Sequence, residues 1–206
     1  MKYLSLLLIS TILFGCYSEN TKHRKYLLAS VKPLPAPLQL IMQNLQYQMK
    51  QTKNYDPSYV ALSYPNGDVP IETGVCADVV VRAFRANNID LQKELHEDMS
   101  KYFSVYPNNW NLSQPDKNID HRRVPNLMTF FERKGKAKPI TNVADDFIAG
   151  DVVAWKLPNN LYHIGIVSDD VNELGIPIIV HNIGSGTKKA DVLFSWKIIG
   201  HYRWFD

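Results

Sequence analysis

Residues 151–167 read Asp151-Val152-Val153-Ala154-Trp155-Lys156-Leu157-Pro158-Asn159-Asn160-Leu161-Tyr162-His163-Ile164-Gly165-Ile166-Val167. This stretch holds two runs rich in β-branched and aromatic residues on either side of a Pro-Asn-Asn turn, a pattern typical of paired strands. Two further runs, Ile176–His181 and Lys197–Trp204, have the same character. The C-terminal third of the chain therefore predicts an antiparallel sheet.

The chain before these strands has helical patterning. Apolar residues recur at helical spacing over residues 38–52 and 91–103, and a further helical pattern covers 75–85. Pro125 opens a fourth predicted helix over residues 126–134, which ends at a glycine. Helices followed by an antiparallel sheet predict the α+β class, with the N-terminal helices packed on the C-terminal sheet.

Cys76 stands at the start of the second predicted helix, in the sequence Thr73-Gly74-Val75-Cys76-Ala77-Asp78. If Thr73 is the N-cap, Cys76 falls in the first turn, where unpaired backbone N–H groups and the helix dipole favour a thiolate. The same N–H groups are able to hold an oxyanion. The position predicts a cysteine nucleophile, against the alternative of a small apolar core residue.

Two histidines lie on the strands downstream of the cysteine. His163 begins one predicted strand and His181 ends the next. A cysteine, a histidine and a second polar group form an arrangement for nucleophilic catalysis, in which the third group fixes the tautomer of the histidine. Asn182 is the alternative to His181 as that third group, because alternation along a strand places only one of the two on the site face.

The first 15 residues have the pattern of an export signal. Lys2 gives a positive start, and the apolar run from Leu4 to Phe14 is too short to span a bilayer as a mature helix. The run ends in Leu13-Phe14-Gly15-Cys16, which resembles a bacterial lipobox and implies cleavage before Cys16 and lipidation of its sulfur. Tyr17 is not the aspartate that retains lipoproteins in the inner membrane, so we expect an outer-membrane anchor. An ordinary secretory signal is the alternative.

The rest of the chain divides into a tether and one domain. Residues 16–37 are polar and then proline-rich, which predicts a linker between membrane and domain. Residues 38–206 are long enough to form one domain with a proper core. A net charge of +3 without a basic-aromatic stripe gives no indication of nucleic-acid binding. We expect a monomer without a cofactor or a metal.

The segment Asp146–Trp155, followed by His163-Ile164-Gly165-Ile166-Val167, resembles the core of the NlpC-type cell-wall peptidases, a papain-like superfamily. In that superfamily a Gly-Asp pair starts one strand, and the catalytic histidine opens the next. The resemblance implies a papain-like fold and a triad of Cys76, His163 and His181. It also implies that Tyr64 helps to bind the oxyanion, with an ordinary loop aromatic as the alternative.

Across essentially the whole mature domain the chain also resembles the bacterial family catalogued as domain of unknown function 1287. The segments that carry this likeness are 64–70, 120–126 and 181–184. The NlpC-type peptidases usually have Asp-Cys-Ser-Gly around the nucleophile, whereas this chain has Val75-Cys76-Ala77-Asp78. Substrate specificity is therefore not carried over from the peptidases.

The segment Asp120-His121-Arg122-Arg123 leaves two alternatives open. Its charges suit an ion-pair network that pins a long loop. Equally, Arg122 or Arg123 suits contact with a carboxylate-bearing substrate such as a peptidoglycan stem peptide, with His121 and Asn182 as further candidate contacts.

Together these features predict a lipid-anchored periplasmic cysteine hydrolase that cleaves amide bonds, with peptidoglycan stem peptides as the substrate. One alternative is a zinc hydrolase using His121, His163 and His181, although the sequence has no tight ligand spacing. Another is a non-catalytic envelope binding or assembly lipoprotein on the same fold. We expect His23, His96 and His201 to be surface residues, and Asp151 to cap or shape a strand start.

Overall fold

The computed structural model describes residues 33–205, and these form helices first and then a sheet. The helices are α1 (Ala36–Gln51), α2 (Cys76–Arg85), α3 (Leu91–Tyr102) and α4 (Val124–Arg133). The strands are β1 (Val152–Lys156), β2 (Tyr162–Val171), β3 (Pro177–Asn182), β4 (Thr187–Ala190) and β5 (Lys197–Tyr202). The predicted α+β class is confirmed in this coarse sense.

All strand pairs of the sheet are antiparallel, in the order β4-β3-β2-β1-β5. The β1–β2 hairpin predicted from residues 151–167 is present and pairs Trp155 with His163. Strand β4 was not predicted, because its four residues are Thr-Lys-Lys-Ala and two of them are exposed lysines. Such short, charged strands are common at the edge of a sheet.

The sheet is buried on both faces. On one face α2 packs against β2 and β3, and α4 packs against β2 and β5, where the ring of Phe131 lies 5.3 Å from that of Tyr202. On the other face Val153, Trp155 and Ile179 belong to a separate buried cluster, which is completed by Phe147, Val167 and Leu193. Residues that alternate along each strand thus serve two cores.

The helix boundaries differ from the predicted ones by up to two residues. The N-cap of α2 is Val75 and not Thr73, so Cys76 is the first helical residue. Asp78 closes this end of the helix, because its Oδ2 accepts a hydrogen bond from the backbone N–H of Val75 at 2.7 Å. Cys76 therefore lies even closer to the free N–H groups than the sequence indicated.

The export signal, Cys16 and most of the linker lie outside the described residues. Within residues 33–205, every helix is too short or too polar to cross a bilayer. Residues 36–206 cluster as one compact unit.

Candidate functional site

Two buried histidines are hydrogen-bonded to each other across β2 and β3. Nε2 of His163 lies 2.7 Å from Nδ1 of His181, and the side chains are 2 % and 1 % exposed. Gly165 makes room for this pair, because a Cβ at that position would lie 3.1 Å from the Cβ of His181 and 2.8 Å from Ile179. His181, and not Asn182, is thus the residue that contacts His163.

Aromatic side chains enclose the histidine pair. The ring of Trp196 stands perpendicular to that of His163 at 5.6 Å and lies 6.1 Å from that of His181. The ring of Trp155 lies 5.8 Å from His163 on the same face of the sheet. These walls exclude water, so a charged imidazole is poorly solvated in the pair.

Burial lowers the pKa of His163 to about 3, with a further contribution from the charge of His181. Burial likewise lowers the pKa of His181 to about 4, and the ammonium of Lys188, its partner in the β3–β4 register, adds to the shift. Both imidazoles are therefore neutral at pH 7. Nε2 of His181 is buried and has no hydrogen-bond partner within the described chain.

Cys76 reaches strand β2 one residue beyond His163. The backbone N–H of Ile164, the residue after His163, stabilises the thiolate form and lowers the thiol pKa, as do the N–H groups of Ala77 and of Cys76 itself. Burial is the larger effect and raises the pKa of Cys76 to about 11, assisted by the charge of Asp78. The N–H groups at the helix start thus favour the thiolate, as expected, but desolvation outweighs their effect on the thiol pKa in the resting protein.

Arg122 is buried and supports the N-terminus of α2. Its guanidinium forms a two-pronged ion pair with Asp78, with Nε 3.0 Å from Oδ1 and Nη2 3.1 Å from Oδ2. Nη1 donates to the carbonyl of Ser58 at 3.0 Å and Nη2 to that of Asp56 at 3.1 Å. Of the two alternatives for Arg122, the structure therefore has the ion-pair network that pins a loop.

Arg123 and His121 do not share the surroundings of Arg122. Arg123 pairs with the carboxylate of Asp120 at 3.1 Å and stacks on the ring of Trp110 at 4.0 Å. His121 is 2 % exposed, and burial lowers its pKa to about 3, with further lowering by the charges of Arg85 and Arg122. A neutral, buried His121 presents little surface to a substrate.

Asn182 lies on the same strand as His181 and is fully buried. Its Nδ2 donates to the carbonyl of Gly74 at 3.0 Å and to that of Asn54 at 3.1 Å. Gly74 has φ 154°, and a Cβ there would lie 3.1 Å from Oδ2 of Asp78. The residues just before Cys76 are thus held from two sides, by β3 and by α2.

The tyrosine that shares the surroundings of Cys76 is Tyr55. Burial, with smaller contributions from negative charge on Cys76 and Asp78, raises the pKa of Tyr55 to about 12. Tyr64 instead packs its ring 5.2 Å from His96 on α3 and carries Lys117 over its face at 5.6 Å. The structure thus places Tyr64 beside α3, among side chains that belong to the helix and the loop after it.

The prediction of a surface position is wrong for His201, which is 2 % exposed. Its Nε2 lies 2.8 Å from Oδ2 of Asp151 and its Nδ1 lies 3.1 Å from the carbonyl of Pro139. Asp151 also accepts from the backbone N–H of Ile148 and from Arg203, which agrees with its predicted role at the strand start. This cluster could not be predicted from the sequence, because its members are far apart in the chain.

Several residues of the site had no distinct signal in the sequence. Trp196 lies in a loop and Tyr55 in a polar segment, and neither has a spacing that ties it to Cys76. No local pattern indicates that Asp78 binds Arg122 and the backbone of Val75. Over residues 33–205, no three His, Cys, Asp or Glu side chains are grouped as metal ligands would be.

The fold and site describe an α+β protein with a cysteine at a helix start, which contacts the strand that carries one of two paired, buried histidines. Residues 42–204 match the family described as domain of unknown function (DUF1287), and the chain belongs to that family. It is 53 % identical over 165 residues to "Uncharacterized protein YijF" of Escherichia coli (strain K12), an alignment that covers 80 % of each chain.

Proposed function

We propose that the protein is a cysteine hydrolase of amide bonds that uses Cys76, His163 and His181. The observation that carries the proposal is the 2.7 Å contact between Nε2 of His163 and Nδ1 of His181, one residue from the amide that contacts the Cys76 sulfur. A histidine oriented by a second buried group, next to a thiol at a helix start, is the arrangement of a nucleophile and its base.

The proposed base requires one of the two directions that the hydrogen bond between the histidines allows. His163 donates its Nε2 hydrogen to Nδ1 of His181, which leaves the Nδ1 lone pair of His163 for the proton of Cys76. His181 then carries its own hydrogen on Nε2. In the reverse direction His163 would carry its hydrogen on Nδ1 and would have no lone pair there for the thiol proton.

The reaction follows from this arrangement. The thiol proton passes to Nδ1 of His163 as the sulfur forms a bond to the amide carbon and the carbonyl becomes an oxyanion. The C–N bond then breaks, and the leaving amine takes the proton from His163. Water attacks the thioester with His163 as base, which releases the acid and restores the thiol.

Two groups are candidates for holding the oxyanion. The backbone N–H of Cys76 lies at the helix N-terminus, where such groups have no helical partner. The hydroxyl of Tyr55 is the side-chain candidate because this residue interacts electrostatically with Cys76. Loss of one oxyanion donor costs on the order of 3 kcal/mol of barrier.

The resting site is neutral in this proposal. A thiol with a pKa of about 11 and an imidazole with a pKa of about 3 do not form a thiolate–imidazolium pair at pH 7. His163 therefore acts as a general base while the substrate is bound, as the histidine of a serine hydrolase does. Slow alkylation of the free enzyme at neutral pH is expected.

The proposed location is the periplasmic face of the outer membrane, and the proposed substrate is the stem peptide of peptidoglycan. The export pattern of residues 1–15 and the lipobox-like Leu13–Cys16 support this location. A tether of about twenty residues reaches several tens of Å from the membrane. Replacement of Cys16 by Ala should move the protein from the membrane fraction to the soluble fraction, and retention in the membrane would contradict lipidation.

The experiment that tests the hydrolase proposal compares residues 22–206 as wild type and as Cys76→Ala. Both are incubated with purified peptidoglycan and with stem-peptide fragments. The products are separated by liquid chromatography and their masses are measured by mass spectrometry. Fragments from the wild type alone support a cysteine hydrolase, and their masses identify the bond. Equal product patterns from both proteins, or no products from either, contradict it.

A non-catalytic envelope lipoprotein is the second candidate. The observation that favours it is the Cys76 side chain itself, which is 5 % exposed and has a pKa of about 11. Buried, unreactive cysteines are packing residues. Binding of intact peptidoglycan with equal affinity by wild type and Cys76→Ala, with no cleavage, would support this candidate.

A further inference from the structure

We propose that Asn182 is a positioning residue, which holds the peptide group before Cys76 and the loop of Tyr55 on the strand that carries His181. Its catalytic purpose depends on the proposed hydrolase function, whereas the positioning itself is measurable without any substrate. Adjacent residues of β3 point to opposite faces of the strand. One of them, His181, orients the base, and the other orients the approach to the nucleophile.

The contacts of Asn182 reach two different loops. Nδ2 donates to the carbonyl of Asn54, next to Tyr55, and to the carbonyl of Gly74, two residues before Cys76. Both bonds are buried or nearly so, and the side chain of Asn182 is 0 % exposed. Each of the two amide protons forms one of these hydrogen bonds, so the positions of both loops depend on this one side chain.

The peptide group between Gly74 and Val75 is held at both ends. Its carbonyl accepts from Asn182 and from the backbone N–H of Asp56 at 3.2 Å. Its N–H donates to Oδ2 of Asp78. Loss of Asn182 removes the tie to β3 and leaves the tie to the loop, so the helix start remains folded but is no longer fixed relative to His163.

A second buried amide of the same chemistry provides a matched control. Gln92 on α3 is also 0 % exposed, and its Nε2 donates to the carbonyls of Ser63 at 2.9 Å and Lys117 at 3.1 Å. Its Oε1 accepts from the backbone N–H of Gly67. Gln92 joins loops in the same way as Asn182, but it touches neither Cys76 nor the histidine pair.

The test compares wild type, Asn182→Ala and Gln92→Ala as full chains purified in detergent, at a temperature well below each unfolding midpoint. The first readout is the rate at which iodoacetamide alkylates Cys76 at pH 8. The second is amide hydrogen exchange over residues 74–77 by mass spectrometry. Both readouts report on the helix start whether or not the protein hydrolyses an amide.

Asn182→Ala is expected to raise the alkylation rate about tenfold, because a fall of one unit in the thiol pKa raises the thiolate fraction about tenfold. Exchange over residues 74–77 should accelerate as well. Gln92→Ala should stay within about twofold of wild type in both readouts despite a similar loss of buried hydrogen bonds. Equal changes in the two variants, or no change in Asn182→Ala, would overturn the proposal.

If wild type proves to be a hydrolase, Asn182→Ala should also lower kcat about tenfold with KM almost unchanged, because the reacting groups are misplaced while the substrate surface remains. Faster alkylation in a protein that hydrolyses nothing would uphold the positioning and reject the function. An unchanged alkylation rate in an active hydrolase would reject the positioning and uphold the function.

Asn182→Asp provides a second test if Asn182→Ala does not fold. A protonated carboxyl group donates one hydrogen bond, whereas a carboxylate donates none. Because burial raises the pKa of a carboxyl group, exchange over residues 74–77, corrected for its intrinsic pH dependence, should exceed that of wild type by much less at pH 5 than at pH 8. The same ratio to wild type at both pH values would overturn the proposal.

Discussion

The sheet carries two buried histidine clusters that differ in their partners. His201 contacts a carboxylate and a backbone carbonyl, and its ring stacks on Phe147 at 4.3 Å. His163 contacts another imidazole, and that imidazole, His181, has a buried nitrogen without a partner. The three histidines are equally buried, at 1–2 % exposed.

The comparison shows that partners, and not burial, separate a packing histidine from a candidate catalytic one. Asp151 binds His201, Arg203 and the backbone of Ile148, so every group in that cluster serves the fold. The histidine pair contains no carboxylate, and Nε2 of His181 has no hydrogen-bond partner within residues 33–205. Such incomplete pairing is costly in a protein interior, and it is common where a group must react.

The largest expected effect is on hydrolysis. If the protein is the proposed hydrolase, His163→Gln should lower the rate of product release by about 10³-fold, because it removes the proposed general base. His201→Gln should leave the rate within about threefold when measured below its lowered unfolding midpoint. The assay is fragment release from stem peptides, and comparable losses in the two variants would remove the distinction between the clusters.

The second-largest expected effect is on stability, and here the cluster of His201 and Asp151 should matter more than the histidine pair. Asp151→Asn should lower the free energy of unfolding by about 3–5 kcal/mol, because Arg203 and His201 lose their buried carboxylate partner. Asp170→Asn is the control, since its ion pair with Lys189 is exposed and should contribute less than about 1 kcal/mol. Urea unfolding measures both, and a small effect at Asp151 would show that its cluster is not structural.

A smaller effect concerns the pH dependence of stability. The pKa values of His163 and His181 are about 3 and 4 in the folded protein, below those of an unfolded chain. The unfolded chain therefore binds more protons between about pH 4 and pH 6.5, so stability falls as the pH is lowered through this window. Replacing both histidines by Gln should reduce the slope by up to about two protons per molecule.

Unfolding midpoints measured at intervals from pH 4 to pH 7 provide that slope. His121 is also buried with a lowered pKa, so wild type and the double variant should both retain its contribution. An unchanged slope in the double variant would mean that the histidine pair accepts protons in the folded state.

The smallest effect separates two tyrosines. Tyr55→Phe should lower kcat about tenfold, less than the loss of a fully buried oxyanion donor, because Tyr55 is 39 % exposed. Tyr64→Phe should change kcat less than twofold, because the Tyr64 ring packs on α3. A larger loss from Tyr64→Phe would restore the assignment made from the sequence.

The sequence predicted the elements on which the site rests, because local patterns determine them. Apolar periodicity gave the four helices to within two residues, and the run from Asp151 to Val167 gave the central hairpin. It did not predict β4, whose lysines have no strand pattern. The α+β class follows from the order of these elements.

Contacts between residues that are distant in the chain could not be predicted from the sequence. The link between Asn182 and Gly74 spans 108 positions and that between Arg122 and Asp78 spans 44. The pKa of Cys76 depends on how far the fold desolvates it, which no local motif specifies. Sequence patterns thus identified candidate residues, whereas their contacts and their burial could be read only from the structure.

The segment between α1 and α2, residues 52–75, contains no helix or strand, yet side chains hold it at intervals along its length. Arg122 binds the carbonyls of Asp56 and Ser58, Asn118 binds the N–H of Leu62, and Gln92 binds that of Gly67. A protease needs an extended, detached stretch of chain, and detaching this one breaks these hydrogen bonds. The segment, which contains Tyr55, Tyr59 and Tyr64, should therefore resist digestion. Within residues 33–205, limited chymotrypsin treatment should cut first at the β2–β3 turn, where Leu174 is 84 % exposed.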